Sequence, residues 1–217
     1  MTNTLSDPAT RSVLDRLHAD ALLDDERGAG RSFEGASAQE RADGLADIYL
    51  PISAEGGRLL YALVRAARPG TVVEFGTSLG ISTLYLAAAV RDNGSGRVVS
   101  TELSAVKVEA ARANLAAAGL ADAVTILPGD ALSTLRDVSG PIGLVLLDGW
   151  KDMCLPVLRL LEDRLAPGAT VVADDTSFPS MRPYLDYVRD PANGYVTVDF
   201  PVDDSMEISC WTGVPPA

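Results

Sequence analysis

The sequence predicts an α/β fold: a doubly wound sheet, mostly parallel with an antiparallel C-terminal strand, preceded by N-terminal helices. Three observations carry this. Between residues 71 and 173 five short apolar runs alternate with helical patterns, the rhythm of parallel strands joined by crossover helices. Those runs are continuously apolar, so both faces of the sheet are covered. The last two runs, 195–200 and 206–211, alternate in and out around a short turning segment, which makes them a hairpin.

Residues 7–26 and 37–47 read as two amphipathic helices, broken apart at Gly28-Ala29-Gly30. They form an expected helical extension over 1–47, ahead of the main domain over 48–217. Ser53 is placed to cap a helix that runs to about Ala67, where Pro69-Gly70 stops it. Thr71-Val-Val-Glu-Phe75 is the first strand, with a helix over 81–90. Residues 96–101 form the second strand. The helix over 104–118 ends in Gly119 and then Leu120, the order a Schellman stop requires. Residues 124–127 form the third strand, followed by a helix from Asp130. Residues 142–147 form the fourth, with a helix over 152–165, and 169–173 the fifth. The hairpin turns through 201–205. Ligands of an open sheet bind beyond the carboxyl ends of its strands. Function is therefore sought after residues 75, 101, 127, 147 and 173.

Composition narrows the classes. The chain has 217 residues, 47% hydrophobic and 22% charged, a globular balance. At that length folding buries about 70% of the unfolded surface, so a core needs neither disulfides nor metal. Eighteen basic against thirty acidic residues give a formal charge of −12, and such a surface repels nucleic acid and anionic membranes. Cys154 and Cys210 lack metal-ligand spacing, and the single histidine, His18, excludes a His-based triad or a zinc site with several imidazoles. No stretch approaches the ~20 apolar residues of a membrane span. The first residues lack a basic region followed by an apolar one, so the expected location is the cytoplasm.

After the first strand comes Glu74-Phe-Gly76-Thr-Ser-Leu-Gly80-Ile-Ser82. Glycines at a strand-to-helix turn let a ligand approach the backbone, and the helix start offers free N–H groups. A dinucleotide fingerprint requires G-x-G-x-x-G, whereas this turn is Gly76-x-x-x-Gly80. Glu74 would repel a pyrophosphate but could hold a cationic amino-acid group, which favours S-adenosylmethionine. A tight turn that binds nothing explains the glycines as well. Glu102 ends the second strand, where a carboxylate can accept both ribose hydroxyls. It can equally be a helix-start acid beside Ser104. Asp130 either caps the next helix or faces an adenine amino group. Three successive strand ends thus each suit one part of a nucleoside.

The fourth strand ends in Asp148-Gly-Trp150-Lys151 and the fifth in Asp174-Asp175. If these strands are neighbours, three carboxylates converge. Two unit charges 4 Å apart repel by about 4 kcal/mol at an effective dielectric of 20, so such a group attracts a cation. Oxygen donors alone suit Mg²⁺, Mn²⁺ or Ca²⁺ and not zinc. Helix capping by the aspartates is the alternative. A lysine at a helix start opposes the dipole, which gives Lys151 a functional reason.

Over 48–213 the chain resembles the cation-dependent small-molecule O-methyltransferases, the Rossmann-like family of catechol and caffeoyl-CoA O-methyltransferases. The resemblance rests on the glycine turn after Val-Val-Glu74, on Leu-Leu-Asp148-Gly-Trp150-Lys151-Asp, and on Ala-Asp174-Asp175 after a strand. It implies S-adenosylmethionine as cofactor, S-adenosylhomocysteine as product, and a divalent cation, Mg²⁺ or Mn²⁺, on Asp148, Asp174 and Asp175. Lys151 would be the general base, acting with Asp148 on the acceptor. Glu74, Gly76, Thr77, Ser78 and Ser82 would line the methionine end, with Glu102 on the ribose. Asp130, Ala131 and Trp150 would flank the adenine, and Ile52 falls where the family closes over the cofactor. Asp175 stands where the family usually has asparagine, and Gly149 where the catechol enzymes have a larger residue. Asp199 and Glu207 are both candidates for a further acceptor-binding acid.

Methyl transfer from a sulfonium to oxygen is an in-line displacement by an oxyanion or nearly so. Orienting the reactants can supply roughly 7–11 kcal/mol of the barrier. The resemblance implies a catechol-like or vicinal-hydroxyl aromatic acceptor, with a homodimer as one assembly. A methyltransferase of hydroxylated tRNA uridine is the first alternative, opposed by the −12 charge. A non-catalytic nucleoside-binding module would need Glu74 and Glu102 but neither Lys151 nor the aspartates. The amino-terminal helices have no place in the sheet, so they are expected to pack over the strand ends or against a second subunit.

Overall fold

The computed structural model describes residues 3–202 and 204–213. The outermost residues of the segments expected at 1–47 and 48–217, and Asp203 in the turn expected at 201–205, lie outside the described residues. Strands β1 (Thr71–Phe75), β2 (Arg97–Glu102), β3 (Val124–Pro128), β4 (Ile142–Leu147), β5 (Leu165–Ala173), β6 (Tyr195–Phe200) and β7 (Met206–Trp211) form one sheet in the order β3-β2-β1-β4-β5-β7-β6. β1 to β5 are parallel, and β7 runs antiparallel to both β5 and β6. The predicted doubly wound α/β sheet is present. Its order reverses between β1 and β4, the switch point where such sheets bind ligands.

The helices are α1 (Pro8–Ala21), α2 (Asp24–Gly28), α3 (Ala38–Gly44), α4 (Ala54–Ala67), α5 (Ile81–Asn93), α6 (Ala105–Ala117), α7 (Ala131–Thr134), α8 (Cys154–Leu161) and α9 (Arg182–Val188). One apolar cluster joins α1, α4, α5 and α6 to a face of the sheet, with Leu17, Leu60 and Leu84 fully buried. The other joins α7, α8 and α9 to the opposite face through Leu135, Leu158 and Tyr184. Among the described residues no helix is long and apolar enough to cross a membrane.

Several local rules hold in the structure. Ser53 accepts from the Gly56 amide at 3.0 Å and caps α4, which ends at Arg68 in the left-handed region. After α6 the Leu120 amide reaches Leu115 O at 2.8 Å and the Gly119 amide reaches Ala116 O at 3.0 Å, the two bonds of a Schellman stop.

Other elements depart from expectation. The helix expected over 7–26 breaks at Leu22-Leu23, and Asp24 turns away to accept from the Tyr49 and Leu50 amides. The helix expected over 37–47 is the shorter α3, held by a capping box between Ser37 and Glu40. The helix expected over 152–165 is α8 between two 3₁₀ turns. β5 begins early, at Leu165, with a register shift against β4 near Gly168, whose φ is +79°. α9 was not expected at all.

Candidate active site

Glu74, next to last in β1, is fully buried beneath the glycine turn. Its carboxylate accepts from Ser82 Oγ and Thr83 Oγ1 at 2.6 Å each and from Ser100 Oγ at 2.5 Å. Burial pushes this carboxyl up to about 7, and the three hydroxyls pull against that rise. Thr77 Oγ1 lies 2.5 Å from Ser100 Oγ and extends the network. Glu74, Thr77 and Ser82 are therefore a buried support for the turn.

The turn is pressed against the end of β4. Gly76 has a φ of +102°, and a Cβ there would lie 2.6 Å from the Asp148 carbonyl oxygen. The Asp148 amide donates to Phe75 O at 2.9 Å. Beside them, a Cβ on Gly149 would overlap the Phe75 ring, so the space of a larger residue at 149 belongs to Phe75.

Ser78 joins three elements from a left-handed φ of 47°. Its amide donates to Glu102 Oε2 at 2.8 Å, its hydroxyl donates to Tyr49 O at 2.7 Å, and Lys107 Nζ donates to that hydroxyl at 3.0 Å. Glu102 Oε1 also accepts from the Ser104 amide at 2.8 Å. Glu102 thus braces the turn and the start of α6 together. Asp130 caps α7 by accepting from the Leu132 amide at 3.0 Å, with Ala131 buried behind it. Ile52 is buried in the α4–α5 cluster.

At the ends of β4 and β5, Lys151 Nζ stands 2.9 Å from Asp148 Oδ1 and 2.8 Å from Asp175 Oδ2. Burial pulls the Lys151 ammonium down, but the two carboxylates outweigh it and hold the lysine above its ordinary range. Asp174 is buried, and burial followed by the charges of Asp148 and Asp175 raises its carboxyl. Asp175 takes a left-handed φ of 55°, which aspartate adopts more readily than most residues. The three aspartates are neighbours, as β4–β5 pairing requires. Yet among the described residues no group of three or more His, Cys, Asp or Glu side chains is set to hold a metal ion. Lys151 lies between two of the carboxylates instead.

Sequence reasoning placed the amino-terminal helices over the strand ends or against a second subunit but missed the contacts they make. α3 crosses the strand ends, where the Arg41 guanidinium lies 4.6 Å from the centre of the Trp150 ring and Gln39 reaches Leu103 O at 3.5 Å. Residues 41 and 150 are far apart in the chain, and no local pattern links them. Of the candidates for a further acceptor-binding acid, Glu207 is fully buried and held by Arg189 at 2.6 and 2.9 Å and by Thr197 at 2.7 Å. Asp199, on β6, accepts from the Ser205 hydroxyl.

Residues 73–176 match a family described as a methyltransferase domain. A catechol O-methyltransferase of Mycobacterium tuberculosis is 35% identical over 127 residues, covering 58% of this chain and 57% of the relative. A probable O-methyltransferase of the same organism is 37% identical over 146 residues, covering 62% and 61%. The chain thus spans about three-fifths of the length of these two relatives. The catechol O-methyltransferase of Sus scrofa is 31% identical over 141 residues, covering 61% of this chain and 74% of the relative. Among solved structures, cofactor-bound Rv0187 from MTB superposes with a TM-score of 0.70 at 27% identity, covering 89% of this chain and 96% of that one.

Proposed function

The chain belongs to the class I S-adenosylmethionine-dependent O-methyltransferase family, and from that premise we propose that it methylates a hydroxyl of a catechol-like or vicinal-hydroxyl small molecule with the help of a divalent cation. The observation that carries this reading is the seating of Lys151 between Asp148 and Asp175, with Asp148 pressed against the Gly76 turn. That arrangement sets acid–base and charge-bearing groups directly beside the place where a class I cofactor would lie.

The donor set suits a hard cation, since every donor is oxygen. Lys151 offsets one of three negative charges, and the uncompensated remainder contributes to the raised carboxyl of Asp174. We assign Asp148, Asp174 and Asp175 to the cation. When bound it would lower the pKa of an acceptor hydroxyl, while the sulfonium of S-adenosylmethionine supplies an electrophilic methyl group.

The protein's own groups do the rest. The backbone of the Gly76–Gly80 turn would meet the methionine end, with Glu74 supplying negative charge from beneath. Glu102 would accept from the ribose hydroxyls in place of the Ser78 amide, and Trp150 with Ala131 would flank the adenine. Lys151 Nζ would meet the acceptor hydroxyl and take its proton. That role needs the two aspartates engaged elsewhere, because their charge now keeps the ammonium protonated. The metal and base assignments therefore stand together. The acidic surface supports a small-molecule acceptor over tRNA, and a cytoplasmic setting is part of this reading.

The test is isothermal titration with S-adenosylmethionine, with and without Mg²⁺ or Mn²⁺, followed by mass-spectrometric detection of methylated catechol. Absence of cofactor binding refutes the reading. Binding without methylation of any vicinal diol would favour the nucleoside-binding alternative.

A further inference from the structure

Arg41 has no ion pair among the described residues, and its buried Nε has no hydrogen-bond partner. The acids nearest to it in sequence are already engaged. Asp43 accepts from Gln39 at 3.0 Å, and Asp47 is held by both terminal nitrogens of Arg31 at 2.6 and 2.7 Å. The guanidinium lies instead 4.6 Å from the ring centre of Trp150, the residue that precedes Lys151 in the chain. A stacked guanidinium keeps its in-plane N–H donors free for a flat anion. An unpaired, half-buried arginine is costly unless something completes it, above all in a protein with an excess of acidic groups.

We propose that Arg41 binds the acid group of the acceptor, so that the substrates are hydroxylated aromatic carboxylates. This rests on the O-methyltransferase reading and narrows it. An acceptor with vicinal hydroxyls at one end and an acid at the other is therefore oriented twice, by the aspartate–lysine end of the site at its hydroxyls and by Arg41 at its acid. A neutral catechol has only the first end and gains nothing from Arg41.

The experiment compares kcat/KM for 3,4-dihydroxybenzoate and for catechol in the wild type, Arg41→Gln and Arg41→Lys. Arg41→Gln should lower the ratio of acid to catechol roughly 10–100-fold, as loss of a charged hydrogen bond implies, mainly through KM. Arg41→Lys keeps the charge without the planar fork and should recover part of that ratio. A parallel fall for both acceptors, or an unchanged ratio, overturns the proposal and leaves Arg41 as a tether between α3 and Trp150. If the wild type methylates neither compound, the catechol reading fails separately. Isothermal titration of 3,4-dihydroxybenzoate in the presence of S-adenosylhomocysteine then decides on Arg41. Binding that Arg41→Gln weakens at least tenfold supports it, and no binding, or binding that the variant leaves intact, overturns it.

Discussion

Glu74 offers a measurement that separates burial from hydrogen bonding. Its side chain is 0% exposed, and three hydroxyls donate to it within 2.6 Å. Burial is the largest influence and raises the carboxyl from 4.5 to about 7. Between those values the folded chain keeps a proton that the unfolded chain has lost, so stability falls as pH rises through the window and is level above it. A rise of this size corresponds to about 3 kcal/mol, since each pKa unit is worth about 1.4 kcal/mol. Glu74→Gln keeps the shape and removes the titration. Urea unfolding of both proteins at pH 5 and pH 8 should show the wild type losing on the order of 3 kcal/mol more than the variant across that interval. Equal losses would mean that the hydroxyls hold Glu74 near an ordinary carboxylate value, and the reasoning from burial fails. The cofactor supplies a second arm. If its ammonium sits above the turn, it favours the carboxylate, so S-adenosylhomocysteine should bind the wild type more weakly below pH 7 and Glu74→Gln evenly across pH.

Other perturbations have equally definite outcomes. Gly149→Ala should destabilise by ~1–3 kcal/mol through overlap with the Phe75 ring, and a double-mutant cycle with Phe75→Leu should show strong coupling in denaturant unfolding. Additive effects there would refute the overlap. Glu102→Ala should weaken S-adenosylmethionine binding by ~1.5–3 kcal/mol in titration calorimetry. A lower melting temperature with unchanged affinity would leave Glu102 as a brace for Ser78 and Ser104 alone. Lys151→Ala should lose rate ~10²–10⁴-fold at every Mg²⁺ concentration, whereas Asp175→Asn should raise the Mg²⁺ needed for half-maximal rate with less effect at saturation. Full turnover in excess chelator would remove the metal from the mechanism.

What the sequence made legible follows the range of the forces involved. The strand runs other than β5, the Ser53 cap and the Gly119 stop are local, and they appear where their patterns placed them. Asp130 also satisfies its bland reading, as the cap of α7. The break at Leu22-Leu23 was illegible because Asp24 answers to amides 25 and 26 residues away. α9 lies among Pro179, Pro183 and Pro191, residues that usually interrupt helices, but Pro183 sits in its first turn, where proline is tolerated. The three aspartates were legible as a cluster, because parallel strands bring their carboxyl ends together. Lys151 between two of them was not, since a side-chain ion pair depends on rotamers. Arg41 left no signal at all, because its stacking on Trp150 exists only once α3 has folded over the sheet.

The position of β7 bears on how the molecule is made. The ribosome releases β6 before β7, yet β7 is the strand that separates β5 from β6. A nascent chain that has emerged only through Phe200 holds β5 with a bare outer margin and β6 with nothing to pair with. Unpaired margins of this kind recruit other chains. Val196, Val198 and Phe200 are exposed even in the finished sheet, so the half-made form presents them on a strand with open polar edges on both sides. Closure comes by insertion of a late strand between two early ones. The Arg189–Glu207 pair, which ties the end of α9 to β7, forms only then. Until β7 is in place, the outer edge of β5, whose end carries Asp174 and Asp175, has no strand to cover it.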